Sequence, residues 1–221
     1  MSRMVIVDDR PPGVVFLRHG ATQWNEELRW QGGEVDFSLS QSGRAEVAEL
    51  SRRLRTYGLD ESYSLVSSTM LRAVETAEVL RRSGVGSGPI RRIKELREVH
   101  VGKLSGMTED EIREAHPVLF ADWSSGKVPY YPDGESIHQL IARLTPRLIE
   151  LLRQDKPLIV ISHKTVLRAI RLIIGVPGPI DEGHLSGVAL WTCPESSGTA
   201  VWRNLGAQDA SRGGGYSDGR L

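Results

Sequence analysis

The chain has 221 residues, and its 28 Lys and Arg are balanced by 28 Asp and Glu, giving zero formal charge and a pI near 7.0. This balance leaves no electrostatic footprint for nucleic acid, and no basic stripe is interleaved with aromatic residues. With 39% hydrophobic and 25% charged residues the composition is that of a soluble fold. Its longest apolar runs, Val14 to Leu17, Leu158 to Ile161 and Leu172 to Ile174, fall far short of the roughly 20 residues of a membrane helix, so no membrane partner is expected. Met1 to Pro12 lacks the apolar stretch of a secretory signal, which makes a cytoplasmic location the expectation. Cys193, the single cysteine, has no partner for an intrachain disulfide and reads as a packing residue.

Residues 1–12 and 206–221 read as flexible ends, leaving one domain over 13–205. Val14 to Leu17 is the first predicted strand. Ser40 caps a helix reaching about Tyr57, with Val47, Leu50 and Leu54 on one face. Ser64 to Ser67 is a second strand, followed by a helix from about Met70 to Arg82 that stops near Gly84. Ile90 to Ile93 is the next strand. Thr108 to Glu111 has capping-box spacing and starts a short helix ending before Pro117. Trp123 to Gly134 reads as loop, and a helix follows from about Glu135 to Arg153. Leu158 to Ile161 is apolar throughout, as a strand buried on both faces should be. A helix over about Lys164 to Ile174 precedes two closing strands, Val188 to Cys193 and Ala200 to Leu205. Short β-rich runs alternating with amphipathic stretches predict an α/β fold: a three-layer α/β/α sandwich around a largely parallel sheet.

Two of the apolar strands end in a histidine cluster, Arg18-His19-Gly20 and Ser162-His163-Lys164. Open α/β sheets bind ligands at the C-terminal ends of their strands. If both strands are central and parallel, Arg18, His19 and His163 meet at one edge, near Arg72 at the start of a helix. Two arginines and two imidazoles suit an oxyanion: arginine offers forked donors to phosphate, and a neutral imidazole is a nucleophile toward phosphorus. Taken singly, His19 and His163 are equally explained as structural residues at strand ends, whereas Arg72 reads first as a solvated helix residue and Glu98 as half of a surface ion pair.

The arrangement of motifs narrows this. Arg18-His19-Gly20-Ala21-Thr22-Gln23-Trp24-Asn25 resembles the R-H-G-x-T-x-x-N signature of the histidine phosphatase superfamily, in its phosphoglycerate mutase-like branch. Arg29-Trp30-Gln31-Gly32 through Asp36, Leu39, Ser40 and Gly43 resembles the next block. Ser67-Ser68 with Arg72-Ala73 and Thr76-Ala77, then Leu96-Arg97-Glu98 with Gly102 and Gly106, then Gly134-Glu135-Ser136, and finally Ser162-His163 with Leu167-Arg168 resemble four more, in order.

The resemblance implies a phosphoglycerate mutase-like fold and an enzyme in which His19 attacks phosphorus while Arg18, Arg72 and His163 hold the equatorial oxygens. It implies a further hydrogen bond from Asn25, with Gln31 and Gly32 in the same substrate-binding set. Glu98 would be the acid that protonates the leaving alkoxide and then the base that activates water. No cofactor and no metal are called for, since the six histidines form no HxxxH or HxH pair and no Cys/His cluster. Two positions depart from the pattern: Ala21 stands where many relatives have Glu, and Lys164 replaces a small residue, usually Gly. Lys164 would favour a second anionic group on the substrate if it reaches the pocket and do nothing if it points to solvent.

Mutases of the family carry a long insertion between the acid and the G-E-S block, whereas here only residues 99–133 separate Glu98 from Gly134, with a short cap over 104–133. Water should therefore reach the intermediate, which favours a phosphatase acting on a small phosphorylated metabolite. The alternatives are cofactor-dependent mutase-type transfer and a non-catalytic phosphate-binding module. Trp24, Trp30 and Trp123 either border the pocket or pack in the core, and Trp123, Lys127, Tyr130 and Tyr131 are the residues expected to touch the leaving group. The sequence leaves the substrate and the oligomeric state open, a homodimer included.

Overall fold

The computed structural model describes residues 13–124, 130–175, 187–192, 200–205 and 219–220. The predicted flexible N-terminus, Cys193, Lys127 and most of the C-terminal tail lie outside them. Among the described residues seven strands form one sheet: β1 (Val14–Arg18), β2 (Ser64–Ser68), β3 (Ser87–Ile93), β4 (Leu158–Ser162), β5 (Gly187–Thr192), β6 (Ala200–Leu205) and β7 (Gly219–Arg220), in the spatial order β3-β2-β4-β1-β5-β6-β7. The first four in that order are parallel, and β5, β6 and β7 continue the sheet antiparallel. Gly219 and Arg220, inside the stretch expected to be a flexible tail, thus pair with β6.

Strand side chains alternate between two cores, as a period of two dictates. Val14 and Phe16 of β1, Val66 of β2, and Leu158 and Val160 of β4 enter one core. Val15, Leu17, Leu65, Ile159 and Ile161 enter the other. Helices α2 (Gln41–Thr56) and α3 (Leu71–Arg82) cover the second core with Val47, Leu50, Leu54, Ala73, Ala77 and Leu80. Helices α6 (Ile137–Leu152) and α7 (Lys164–Ile174) cover the first with Leu140, Leu144, Leu148, Val166, Leu167 and Ile170. The result is the expected α/β/α sandwich, and β1, β4 and β2 are its dry middle.

Two short helices escape the sequence pattern. Helix α1 (Gln23–Glu26) is a single turn held by a reciprocal cap between Thr22 and Asn25. Helix α5 (Pro117–Ser124) directly follows α4 (Glu109–Ala115) and takes in Trp123, where the sequence predicts a loop. Pro117 stops α4 and equally starts α5, because proline at the first helical position loses no hydrogen bond and its φ is already helical.

The N-terminus of α2 packs on the turn after β1 with no side chain between them. A Cβ at Gly20 would stand 2.8 Å from Val47 Cγ2, and one at Gly43 would strike the Ala21 backbone carbonyl. That carbonyl also receives the Ser40 N–H, at 2.9 Å. A Gly43→Ala chain must push α2 off the Gly20–Ala21 turn, and the expected cost is about 1–3 kcal/mol of stability. Urea denaturation of the variant beside the wild type measures it, and an unchanged midpoint would contradict this packing.

Candidate active site

The parallel β1–β4 pair brings the two histidines together. Arg18 is in register with Ser162, and the His19 N–H donates to the Ser162 carbonyl at 3.0 Å, extending the ladder by one residue. His163 follows Ser162, so the rings emerge side by side, their centroids 5.1 Å apart and their planes tilted by 58°. Both are buried, His19 at 4% and His163 at 0% exposure.

His19 has one way to satisfy its neighbours. Its Nδ1 lies 2.7 Å from the Gly20 carbonyl, which only accepts, and Arg72 Nε, which only donates, reaches its Nε2 at 3.2 Å. The proton is therefore on Nδ1, and the lone pair of Nε2 looks toward the arginine. The turn behind the ring is fixed by Thr76, whose hydroxyl accepts the Gly20 N–H at 3.1 Å and donates to the Arg72 carbonyl at 2.7 Å.

Arg72, near the start of α3, is the largest fully buried side chain among the described residues. Its Nη atoms donate to the carbonyls of Val35 at 3.2 Å and Gly32 at 3.4 Å. Burial pulls its pKa down to about 10, opposed by the nearby carboxylates of Glu98 and Asp36, so it is a cation at neutral pH. Asp36 also takes the Leu71 N–H at 2.7 Å, tying the start of α3 to the 32–36 loop. Arg18 ends β1, and its charge acts on both Arg72 and His163. His163 is held neutral: burial disfavours its cation first, and the cations Arg72, Arg18 and Arg97 add to this, with the neighbouring His19 acting in the same direction.

Glu98, 6% exposed, has its carboxylate oriented by two backbone donors, Val99 N–H at 2.9 Å and Thr165 N–H in the first turn of α7 at 3.2 Å. Its backbone is held by Arg143, which forms a forked pair with Glu135 at 2.6 and 2.8 Å and donates to the Arg97 and Glu98 carbonyls at 2.8 and 3.5 Å. On its outer side Glu98 borders a cleft of about 880 Å³ lined also by Arg97, His100, Glu135 and Arg143. The two histidines are not part of that cleft.

The structure thus unites Arg18, His19, Arg72, Glu98 and His163, all placed there by sequence. Asn25 uses its Oδ1 within the α1 cap, 3.1 Å from Thr22 N and 3.0 Å from Thr22 Oγ1, leaving its NH₂ for any ligand. Gln31 Oε1 lies 2.9 Å from the same hydroxyl, while its Nε2 is buried without a partner. Gly32 contributes the carbonyl that receives Arg72, and a Cβ there would meet Val101. Lys164 is half-buried as the first residue of α7.

Trp30 and Trp123 stack at 4.7 Å with Tyr131 edge-on to Trp30, and all three pack against the core below α6, which is the packing alternative for this group. Tyr130 is exposed. No role follows from sequence for Thr76, Asp36, Arg143 or Ser68, each of which has at least one partner distant in the chain. Among the described residues no cluster of three or more His, Cys, Asp or Glu is arranged to hold a metal, and no helix is long and apolar enough to cross a membrane.

Residues 14–180 match the family model described as histidine phosphatase superfamily (branch 1). The chain is 37% identical over 161 residues to a 6-phosphofructo-2-kinase/fructose-2,6-bisphosphatase of Gallus gallus, the match covering 72% of this chain and 32% of that protein. It therefore spans about a third of the length of this curated relative. Among solved structures, a mycobacterial glucosyl-3-phosphoglycerate phosphatase in complex with VO3 aligns with a TM-score of 0.67 at 27% identity, covering 87% of this chain and 96% of that one. A phosphoglycerate mutase from Thermus thermophilus aligns with a TM-score of 0.61 at 29% identity, covering 80% and 91%.

The depressed pKa of His163 has a sign that can be measured. Below about pH 6.5 the unfolded chain takes up a proton on this imidazole while the folded chain does not. Stability present above that pH is therefore lost as pH falls, by up to about 1.4 kcal/mol per pH unit. Urea unfolding between pH 7 and 5.5 should show a shallower pH dependence for His163→Asn than for the wild type, and parallel curves would contradict the assignment.

Proposed function

Because the chain belongs to the histidine phosphatase superfamily, branch 1, we propose that it hydrolyses small phosphomonoesters without a metal, through a phosphohistidine on His19. The observation that carries this reading is the resting state of His19, with Nδ1 on a carbonyl and the Nε2 lone pair beside the Arg72 guanidinium. Nε2 attacks phosphorus, a P–N bond forms, and the P–O bond to the leaving group breaks. Glu98 in its acid form gives its proton to the departing alkoxide, then takes one from the water that attacks phosphohistidine, releasing inorganic phosphate and restoring the imidazole. Arg18 and Arg72 balance the charge spread over the equatorial oxygens, which is the main demand of phosphoryl transfer, and neutral His163 adds a hydrogen bond.

Water as acceptor is supported by the short stretch between Glu98 and Gly134 and by the relatives, whose names specify a bisphosphatase and a phosphatase. Both names also describe substrates with a second anionic group. Lys164, next to His163 at the head of α7, is suited to meet such a group on a cytoplasmic metabolite.

Turnover of p-nitrophenyl phosphate should persist in excess EDTA. Glu98→Gln should lower kcat by about 10²–10⁴, and His19→Ala should abolish both turnover and acid-labile labelling from a ³²P ester. Activity retained by His19→Ala would remove the nucleophile from this scheme. In a panel of esters, the wild type should favour those bearing a second phosphate or a carboxylate, and Lys164→Ala should erase most of that preference. An unchanged ranking would exclude Lys164 from the substrate site.

A further inference from the structure

Strand β2 ends in two fully buried serines. Ser67 stays local, its hydroxyl donating to the Ser68 carbonyl at 2.9 Å. Ser68 stands between two elements of the site. Its Oγ accepts the N–H of Met70, the residue that caps α3 two positions before Arg72, at 3.2 Å. The same Oγ lies 2.9 Å from His163 Nε2. The other ring nitrogen, His163 Nδ1, is buried without a hydrogen-bond partner in the protein.

A neutral imidazole has one N–H to place on one of its two nitrogens. With the proton on Nε2, Ser68 would accept it, and Nδ1 would offer a bare lone pair beside the cations of the site. With the proton on Nδ1, the ring presents a donor there, and Nε2 needs a donor of its own. The hydroxyl of Ser68 meets that need, because Met70 N–H already occupies one of its lone pairs and its single proton remains to be directed. An oxygen of a phosphoryl group only accepts, so the second arrangement is the one that binds it.

We propose that Ser68 is a positioning residue: anchored by the Met70 N–H, it donates its hydroxyl proton to His163 Nε2 and so fixes the tautomer whose Nδ1–H meets the phosphoryl oxygen. The choice of phosphate as ligand rests on the function proposed above, whereas the tautomer is a property of the unliganded protein. The same hydroxyl joins the start of the helix carrying Arg72 to the ring of His163, so one atom aligns two of the phosphate donors.

The test begins without substrate. In ¹⁵N-histidine-labelled wild type, His163 should show a protonated Nδ1 and an unprotonated Nε2 in long-range ¹H–¹⁵N correlation spectra at neutral pH. Ser68→Ala should lose that preference, with Nε2 gaining proton character, while Ser68→Cys, of nearly the same volume and a weak donor, should fall between. Affinity for inorganic phosphate, titrated in the same samples, should drop about tenfold in Ser68→Ala and less in Ser68→Cys. Ser68→Cys carries the comparison if Ser68→Ala does not fold. A wild type protonated on Nε2, or a Ser68 variant with the wild-type tautomer, would overturn the proposal. A fall in phosphate affinity with no change of tautomer would reduce Ser68 to a packing residue. Failure of the phosphatase reading would appear instead as no ester turnover from a protein whose ring is protonated as stated.

Discussion

Arg72 has to be charged and dry at once, and much of the site is organised around that demand. Taking a guanidinium out of water costs several kcal/mol unless its donors are matched, and here its matches are two carbonyls, Gly32 and Val35, and the lone pair of His19. Each match dictates something further. The carbonyls require the 32–36 loop to fold back over α3, and Asp36 binds the first turn of that helix to the same loop. The third match fixes the ring of His19, because an arginine on Nε2 leaves only Nδ1 for the proton. Arg72 keeps its charge with the carboxylates of Glu98 and Asp36 nearby, the latter at 3.9 Å, and its positive field reaches the buried imidazole of His163.

That field explains the contrast between the two imidazoles. A cationic His163 would face Arg72, Arg18, Arg97 and His19 with no surface exposed to water, and it is therefore held neutral. Neutral, it serves as a directional donor or acceptor instead of a further point charge. His19 meets an obligate acceptor in the Gly20 carbonyl, so its orientation is locked, as a nucleophile requires. His163 meets the hydroxyl of Ser68, which the Met70 N–H anchors and whose single proton is left to be directed at the ring.

The sandwich was legible because strands buried on both faces read as unbroken apolar runs. Val14 to Leu17 and Leu158 to Ile161 feed two separate cores in alternation, and the flanking helices show their inner faces at three- and four-residue spacing. The five residues of the site were legible from their ordered motifs, which fix chemistry and order along the chain. Their supports were not. Thr76, 56 positions from the Gly20 N–H it receives, and Ser68, 95 positions from His163, lie in the motif block that contains Arg72, but their partners are not written there, since a hydroxyl acquires its role from whatever the fold sets against it. Arg143 looks like any helix cation until Glu135 and the carbonyls of the Glu98 segment surround it. Helix α5 escaped because Pro117 marks an end and a beginning with the same residue.

The resting contact between Arg72 and His19 also bears on how the proposed reaction begins. The Nε–H of Arg72 rests on the lone pair that must attack phosphorus, at 3.2 Å. An incoming phosphoryl group brings oxygens that are stronger acceptors than an imidazole nitrogen, because they carry charge. The same donor can therefore leave the ring for the substrate, uncovering the nucleophile as it stabilises the electrophile. The two carbonyl contacts on the Nη atoms need not change, so the guanidinium keeps its plane while one bond is exchanged. A lysine would lose this economy, since its single ammonium has no second and third nitrogen to stay anchored while the first changes partner. The burial that makes Arg72 costly to fold thus supplies a donor already in place, on a rigid fork, before the phosphoryl group arrives.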